Sequence, residues 1–135
     1  MKSLTVPARN ESLDEIVAFV GAELEQYDCP AVAQMQLELA MEEIFVNIAS
    51  YAYENAEGEA EVRCEVRRQP LEVTVEFLDG GKPFDPLSTG DADTSEEGLL
   101  SRTGGLGIFL VRDTMDEVAY RYEGGKNILT ILKKL

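Results

Sequence analysis

The stretch AMEEIFVNIASYAY, residues Ala40–Tyr53, decides how this chain is read. It is apolar enough for a buried helix, yet it carries Glu43 and Asn47 four residues apart. Four residues is slightly more than one α-helical turn, so the carboxylate and the amide project from one face. Two readings stay open. The pair is either a wet edge that Ser50 and Glu54 continue at helical spacing, or the start of a site. Asn is a mediocre residue for a helix interior, which argues mildly for a purpose. A Glu/Asn pair could hold a hard cation through the amide oxygen and orient a water or hydroxyl with the carboxylate.

Outward from that stretch, SLTVPA (Ser3–Ala8) alternates like a short strand and stops at proline. ESLDEIVAFVGAELEQY follows with Leu13, Ile16, Val17, Val20 and Leu24 at helical spacing. Asn10 or Ser12 is its expected cap, with Glu15 as box partner if Ser12 serves. Pro30 fits the first turn of the second helix, which runs to about Tyr53 and is apolar over most of its circumference, so it should be largely covered. AEVRCEVRR and LEVTVEFLD then alternate around a short turn at Gln69–Pro70, which predicts a hairpin. TGGLGIFLVRDTMDEV opens with glycines and becomes helical, with Ile108, Val111, Met115 and Val118 on one side. VAYRYE and NILTILKKL close the chain as a hairpin around Gly124–Gly125. The order of strand, two helices, hairpin, loop, helix and hairpin predicts an α+β fold: a two-layer sandwich with helices on one face of a mixed, mainly antiparallel sheet.

The 135 residues are expected to form one domain, long enough to bury a core without staples. Acids outnumber bases 26 to 12, for a net charge of −14. Such a surface repels a phosphate backbone, so direct nucleic-acid binding is not expected, and a basic protein surface is the easier partner. An anionic ligand would need a cation or aligned backbone N–H groups. The chain has no histidine, which removes histidine as base, metal ligand or phosphoacceptor within it. Cys29 and Cys64 have no pairing motif and read as reduced packing residues. No apolar run is long enough to span a bilayer and MKSLTVPARNES lacks a signal-peptide core, so the expected location is the cytoplasm.

Two further stretches carry possible chemistry. In FLDGGKPFDP, a strand ends in Asp79, and Gly80–Gly81 permit a tight turn and close backbone approach. Asp-Gly also marks many ordinary strand exits, but here the turn runs into PLSTGDADTSEEGLLSR (Pro86–Arg102), a polar loop of a length that is usually functional or disordered. In TGGLGIFLV, glycines at a helix start let N–H groups converge on an anion, with the helix dipole adding a favourable field. A P-loop is absent, and Leu110 stands where a dinucleotide fingerprint needs its third glycine.

Glu-x-x-x-Asn on a helix, Asp-x-Gly at a strand end, a polar loop and Gly-x-Gly at a helix start, in this order, resemble the GHKL (histidine-kinase-like) ATPase superfamily. EEIFVN is similar to its N box, DGGKPFDP to its G1 box and TGGLGIFLV to its G2 box. PFDP and GGLGIFLV most resemble the anti-sigma factor serine/threonine kinase branch, of the RsbW and SpoIIAB type. The resemblance covers nearly the whole chain and implies the Bergerat-type ATP-binding fold, with a flexible ATP lid over about residues 86–104. It implies that Asn47 coordinates Mg²⁺ bridging the ATP phosphates and that Glu43 is the general base for the acceptor serine. It further implies that Asp79 reads the exocyclic amine of adenine, that Gly81 admits the backbone near the ring, and that Gly105 and Gly107 lie under the phosphates. Arg102 is placed to reach the γ-phosphate or to offset Asp91, Asp93, Glu96 and Glu97. Three positions depart from the pattern: Pro83 replaces a G1 glycine, Ile48 follows the asparagine, and GGKNILTIL offers no Gly-Thr pair, Thr130 lying further into the strand.

The function so implied is an ATP-binding anti-sigma regulatory factor, a kinase phosphorylating Ser or Thr of an anti-sigma-factor antagonist of the STAS type. A sigma factor is a further implied partner, and a homodimer the implied assembly. The alternative is a nucleotide-dependent protein-binding module without catalysis, and Glu43 separates the two.

Overall fold

A computed structural model describes residues 1–53, 57–87 and 105–135, with side chains in the last segment described from residue 107 onward. Strand β1 (Lys2–Pro7) leads through a 3₁₀ turn at Asn10–Ser12 into α1 (Leu13–Leu24). Helix α2 (Ala31–Asn47) continues as a π-helical turn, Ile48–Ala52. The hairpin β2 (Glu59–Arg67) and β3 (Glu72–Asp79) follows, then α3 (Gly105–Thr114) and the hairpin β4 (Glu117–Glu123) and β5 (Lys126–Lys134).

The five strands lie in the order β1-β2-β3-β5-β4, and every pairing among them is antiparallel. The register matches the alternation in sequence. Val62 faces Phe77, Cys64 faces Val75, and Val75 faces Ile131, so these side chains share the face that carries the helices. That face packs on Ile16, Val20 and Leu24 of α1, on Leu37, Met41, Ile44 and Phe45 of α2, and on Val111 of α3. Phe45 and Phe77 are the largest fully buried side chains and anchor the interface between the layers. Gly124 and Gly125 close the second hairpin at φ of 61° and 78°, the left-handed backbone a two-residue turn requires.

Four local expectations are corrected. Ser12 adopts helical backbone and makes no side-chain cap, because the 3₁₀ turn that starts after Arg9 feeds straight into α1 and absorbs Asn10 as well. Pro30 stands immediately before α2 at φ −60°, ψ 137°, accepting the Gln34 N–H through its carbonyl. Helix α3 ends at Thr114, so Val118 belongs to β4 while Ile108, Val111 and Met115 are buried. Finally, α2 is covered by the sheet and by its two flanking helices but not along its outward stripe. Val32, Met35 and Leu39, at i, i+3 and i+7, are 64, 54 and 58% exposed, since a two-layer fold offers nothing to the outward stripe of its central helix.

Candidate functional site

Helix α2 supplies the first wall of the site. Glu43 and Asn47 are both half-buried in its last two turns. The α-helical spacing stops at Asn47: the Ile48 N–H is shared between the carbonyls of Ile44 and Phe45, and the wider π turn begins there. Ser50 therefore does not prolong the Glu43–Asn47 face at regular α spacing. Single π turns inside helices concentrate at functional sites.

Glu43 reaches across to the start of α3. A methyl group placed on Gly107 would overlap Glu43 Cγ, Cδ and Oε1, so the carboxylate fills the space that a side chain at position 107 would take. The structure thus brings together Glu43 and Gly107, which lie 64 positions apart in sequence (107 less 43). Gly105 is the first residue of α3, whose opening N–H groups have no intrahelical acceptors. Burial pushes the Glu43 carboxyl above its ordinary value, and the charge of Glu42 adds to the rise.

The second wall is the end of β3. Asp79 is buried, paired in the ladder with Ala60 on one side and Asn127 on the other. Its Oδ1 accepts the Gly81 N–H at 2.9 Å and Asn127 Nδ2 at 3.0 Å. Asp79 Oδ2 has no partner among the described residues, where no side-chain polar atom is both buried and unpartnered. That oxygen is consequently open to an incoming donor. Gly81 lies against the end of the π turn: a Cβ there would stand 2.7 Å from the Ala52 carbonyl carbon and 2.9 Å from its Cα. Gly81 therefore admits a close backbone approach, here that of the chain itself. Tyr53 locks the same junction, its hydroxyl accepting the Gly80 N–H at 2.8 Å and donating to the Glu59 carbonyl.

Helix α2 and its π turn are the common wall, touching the Gly107 motif through Glu43 and the Asp79–Gly81 motif through Ala52 and Tyr53. No group of three or more His, Cys, Asp or Glu side chains able to hold a metal occurs among the described residues. Asn47 is the side chain of this wall whose amide oxygen could hold a hard divalent cation. Residues 88–104, with most of the expected lid and with Arg102 and its acidic neighbours, lie outside the described residues. The start of that loop is fixed: Leu87 N–H donates to Asp85 Oδ1 at 2.8 Å, and Arg112 of α3 donates to the Leu87 carbonyl at 3.2 Å.

The residue that sequence reasoning missed is Asn127. Its signal was present, because in NILTIL the inward positions are Asn127, Leu129 and Ile131, and a lone amide in an apolar series needs partners. Thr130, in contrast, faces the opposite side of the sheet and donates to Glu76 at 3.3 Å.

Residues 6–133 match the family described as the histidine kinase-like ATPase domain. Over 99 residues the chain is 34% identical to the serine-protein kinase RsbW of Listeria monocytogenes, covering 69% of this chain and 61% of that protein. The RsbW of Staphylococcus aureus is 31% identical over 97 residues, covering 67% of this chain and 60% of that protein. The alignments thus span about three-fifths of these relatives' length. Among solved structures, the histidine kinase domain of a blue-light activated histidine kinase from Erythrobacter litoralis superposes at TM-score 0.60 and 17% identity, covering 96% of this chain and 62% of that one. The histidine kinase AdeS of Acinetobacter baumannii does so at 0.52 and 14%, covering 99% and 68%. These two likenesses carry the fold.

Proposed function

The chain belongs to the histidine kinase-like ATPase domain family, and from that premise we propose that it is an ATP-dependent anti-sigma regulatory kinase. It transfers the γ-phosphoryl group of ATP to a Ser or Thr of an anti-sigma-factor antagonist, and a sigma factor is its second partner. The observation that carries this reading is the seating of Glu43 on Gly107, which sets a carboxylate beside the glycine-rich start of a helix. The two RsbW relatives carry the name serine-protein kinase, which supports the reaction class.

Each residue then has a distinct role. Asp79 Oδ2 accepts a hydrogen bond from the exocyclic amine of adenine, while Gly81 keeps the turn beneath the ring thin. The open N–H groups at the start of α3 meet the phosphates where Gly105 and Gly107 carry no side chains, and the helix dipole adds to the attraction. Asn47 offers its amide oxygen to Mg²⁺, which supplies neutralisation of the phosphate charge in a transfer that is mostly positioning. Glu43 takes the proton from the acceptor hydroxyl as that oxygen bonds to the γ-phosphorus and the bond to the β–γ bridging oxygen breaks, leaving ADP. A carboxyl raised by burial is a stronger base once ionised.

The same reading holds residues 1–135 as one ATP-binding domain with a lid over about residues 86–104. It takes the protein as a cytoplasmic homodimer without direct nucleic-acid contact; no helix among the described residues is long and apolar enough to cross a membrane. The charge of −14 favours a basic partner surface and salt-sensitive association.

The test is calorimetric titration with ATP, with and without Mg²⁺, together with transfer of labelled γ-phosphate to a purified antagonist. Asn47→Ala and Asp79→Asn weaken binding, whereas Glu43→Gln keeps binding and abolishes transfer. Partner binding that depends on ATP, with no transfer by the wild type, assigns the chain instead to a nucleotide-dependent binding module.

A further inference from the structure

Asn127 has five hydrogen-bond partners among the described residues, and their pattern leaves one orientation. Nδ2 faces three acceptors: Asp79 Oδ1 at 3.0 Å, the Lys82 carbonyl at 2.8 Å and the Gly81 carbonyl at 3.4 Å. Oδ1 faces two donors, the Phe84 N–H at 3.0 Å and the Tyr120 hydroxyl. Turning the amide over would set its two N–H bonds against two donors and its oxygen against a carboxylate and two carbonyls, so that arrangement is excluded. In the orientation present, both hydrogens and both lone pairs are used. Burial raises the Tyr120 hydroxyl above its ordinary range, so it stays a neutral donor.

This network does two things to Asp79. It occupies Oδ1 twice, through Asn127 and the Gly81 N–H, and so turns the carboxylate until Oδ2 is its free acceptor. It also ties the Asp79 carboxylate to the Gly81–Phe84 turn, because a single amide grips the carboxylate, two turn carbonyls and the Phe84 N–H. Held this way, the carboxylate presents one free oxygen as a hydrogen-bond acceptor. It pairs with the amino group of adenine and rejects the carbonyl that guanine presents at the same position.

We propose that Asn127 is a positioning residue that sets nucleobase specificity, holding the Asp79 carboxylate and the Gly81–Phe84 turn in the one arrangement that accepts adenine. The proposal rests on the ATP-binding reading given above. It assigns β5 a role through residue 127, whereas Thr130 of the same strand points away from the site. Tyr120 of β4 is the outer brace, because without its hydroxyl the Asn127 oxygen loses one of its two donors.

The experiment is a double-mutant cycle read by calorimetry with Mg²⁺, titrating ADP, GDP and inorganic tripolyphosphate into wild type, Asn127→Ala, Asp79→Asn and the double variant. Asn127→Ala is expected to weaken ADP about tenfold, as loss of a hydrogen bond to a charged group does, and to shrink the ADP-over-GDP preference by a similar factor. Tripolyphosphate, which has no base, binds both proteins alike. In the Asp79→Asn background the Asn127→Ala change adds less than about twofold, because its effect runs through Asp79. Tyr120→Phe preserves shape and covers the case of a poorly folding alanine variant; it should weaken ADP about two- to threefold and tripolyphosphate not at all. Additive losses, or an equal loss for all three ligands, overturn the positioning role and leave Asn127 as a packing residue. A wild type that binds tripolyphosphate but no ADP overturns the adenine reading itself.

Discussion

Adding one methyl group at Gly107 should separate catalysis from stability. A Cβ there overlaps Glu43 Cγ, Cδ and Oε1 and meets no nearer backbone, so the yielding partner is a flexible side chain. Three effects set the stability. Forcing Glu43 off its staggered rotamer costs about 0.5–1.5 kcal/mol. Replacing a helical glycine by alanine returns roughly 0.5–1 kcal/mol of backbone entropy. Release of Glu43 toward water relieves the burial that raises its carboxyl, a further small gain. The net is within about 1 kcal/mol of zero, and at roughly 2.1 cal/mol/K of unfolding entropy per residue this shifts Tm by less than about 4 °C. Phosphoryl transfer has no such cancellation, since displacement of a base by about 1 Å costs on the order of 100-fold in rate. Gly107→Ala is therefore expected to melt close to wild type, to bind ATP within severalfold and, on the proposed kinase reading, to transfer the γ-phosphoryl group to the antagonist about 100-fold more slowly. Single-turnover transfer and calorimetric melting measure the two halves. Transfer at the wild-type rate would refute Glu43 as the base acting beside Gly107. A Tm fall of roughly 10 °C would show that Glu43 cannot move, and that the glycine is there for packing.

Gly81→Ala should behave in the opposite way. Its clash is with the Ala52 backbone, so the variant is expected to lose about 1–3 kcal/mol, a Tm fall of roughly 4–11 °C by the same entropy, even without nucleotide. Glu43→Gln carries a pH signature. A carboxyl whose folded pKa is raised contributes stability that is present below its unfolded value near 4.5 and lost as pH rises through the folded value. The glutamine variant should thus melt slightly above wild type at pH 7.5, by under about 2 °C because solvent screens this half-buried group, and the gap should close as the pH approaches 5. Melting curves across that range decide it, and a gap that widens toward low pH would contradict the sign. Burial pushes the Cys64 thiol up to about 12, so iodoacetamide at pH 8 should leave Cys64 unmodified in the native protein and label it after denaturation, as peptide mass mapping would report.

The parts of the site legible in the sequence are those whose geometry is local. Glu43 and Asn47 share a face by helical spacing, Asp79 and Gly81 share a turn, and Gly105 and Gly107 share a helix start, so each motif could be recognised from a few consecutive residues. The strands were equally legible, because Cys64, Val75 and Ile131 mark the inward face by alternation alone. What escaped depends on how distant segments meet. The π turn is formed by IASYA, a segment with no glycine or proline to announce it, and it carries Ala52 and Tyr53 onto Gly81 and Gly80. The outward stripe of α2 reads as core in sequence, and only the layer count exposes Val32, Met35 and Leu39.

Asn127 shows why the gap falls beside Asp79. Its bond to Asp79 spans 48 positions and exists only because β5 inserts between β3 and β4, in a register that sets Asn127 opposite Asp79. Shifting β5 by one residue would turn Asn127 to the outer face and bring Ile128 inward. That register is held elsewhere, by Leu129 against Phe77 and Ile131 against Val75, both pairs in the core. The hydrophobic alternation of β5 therefore has a second consequence, since fixing the strand also aims an amide at a carboxylate that local sequence never brings near it. The specificity proposed for Asn127 is in this sense a property of core packing, and core substitutions that loosen the β3–β5 register, such as Leu129→Ala, should weaken adenine discrimination before they unfold the domain.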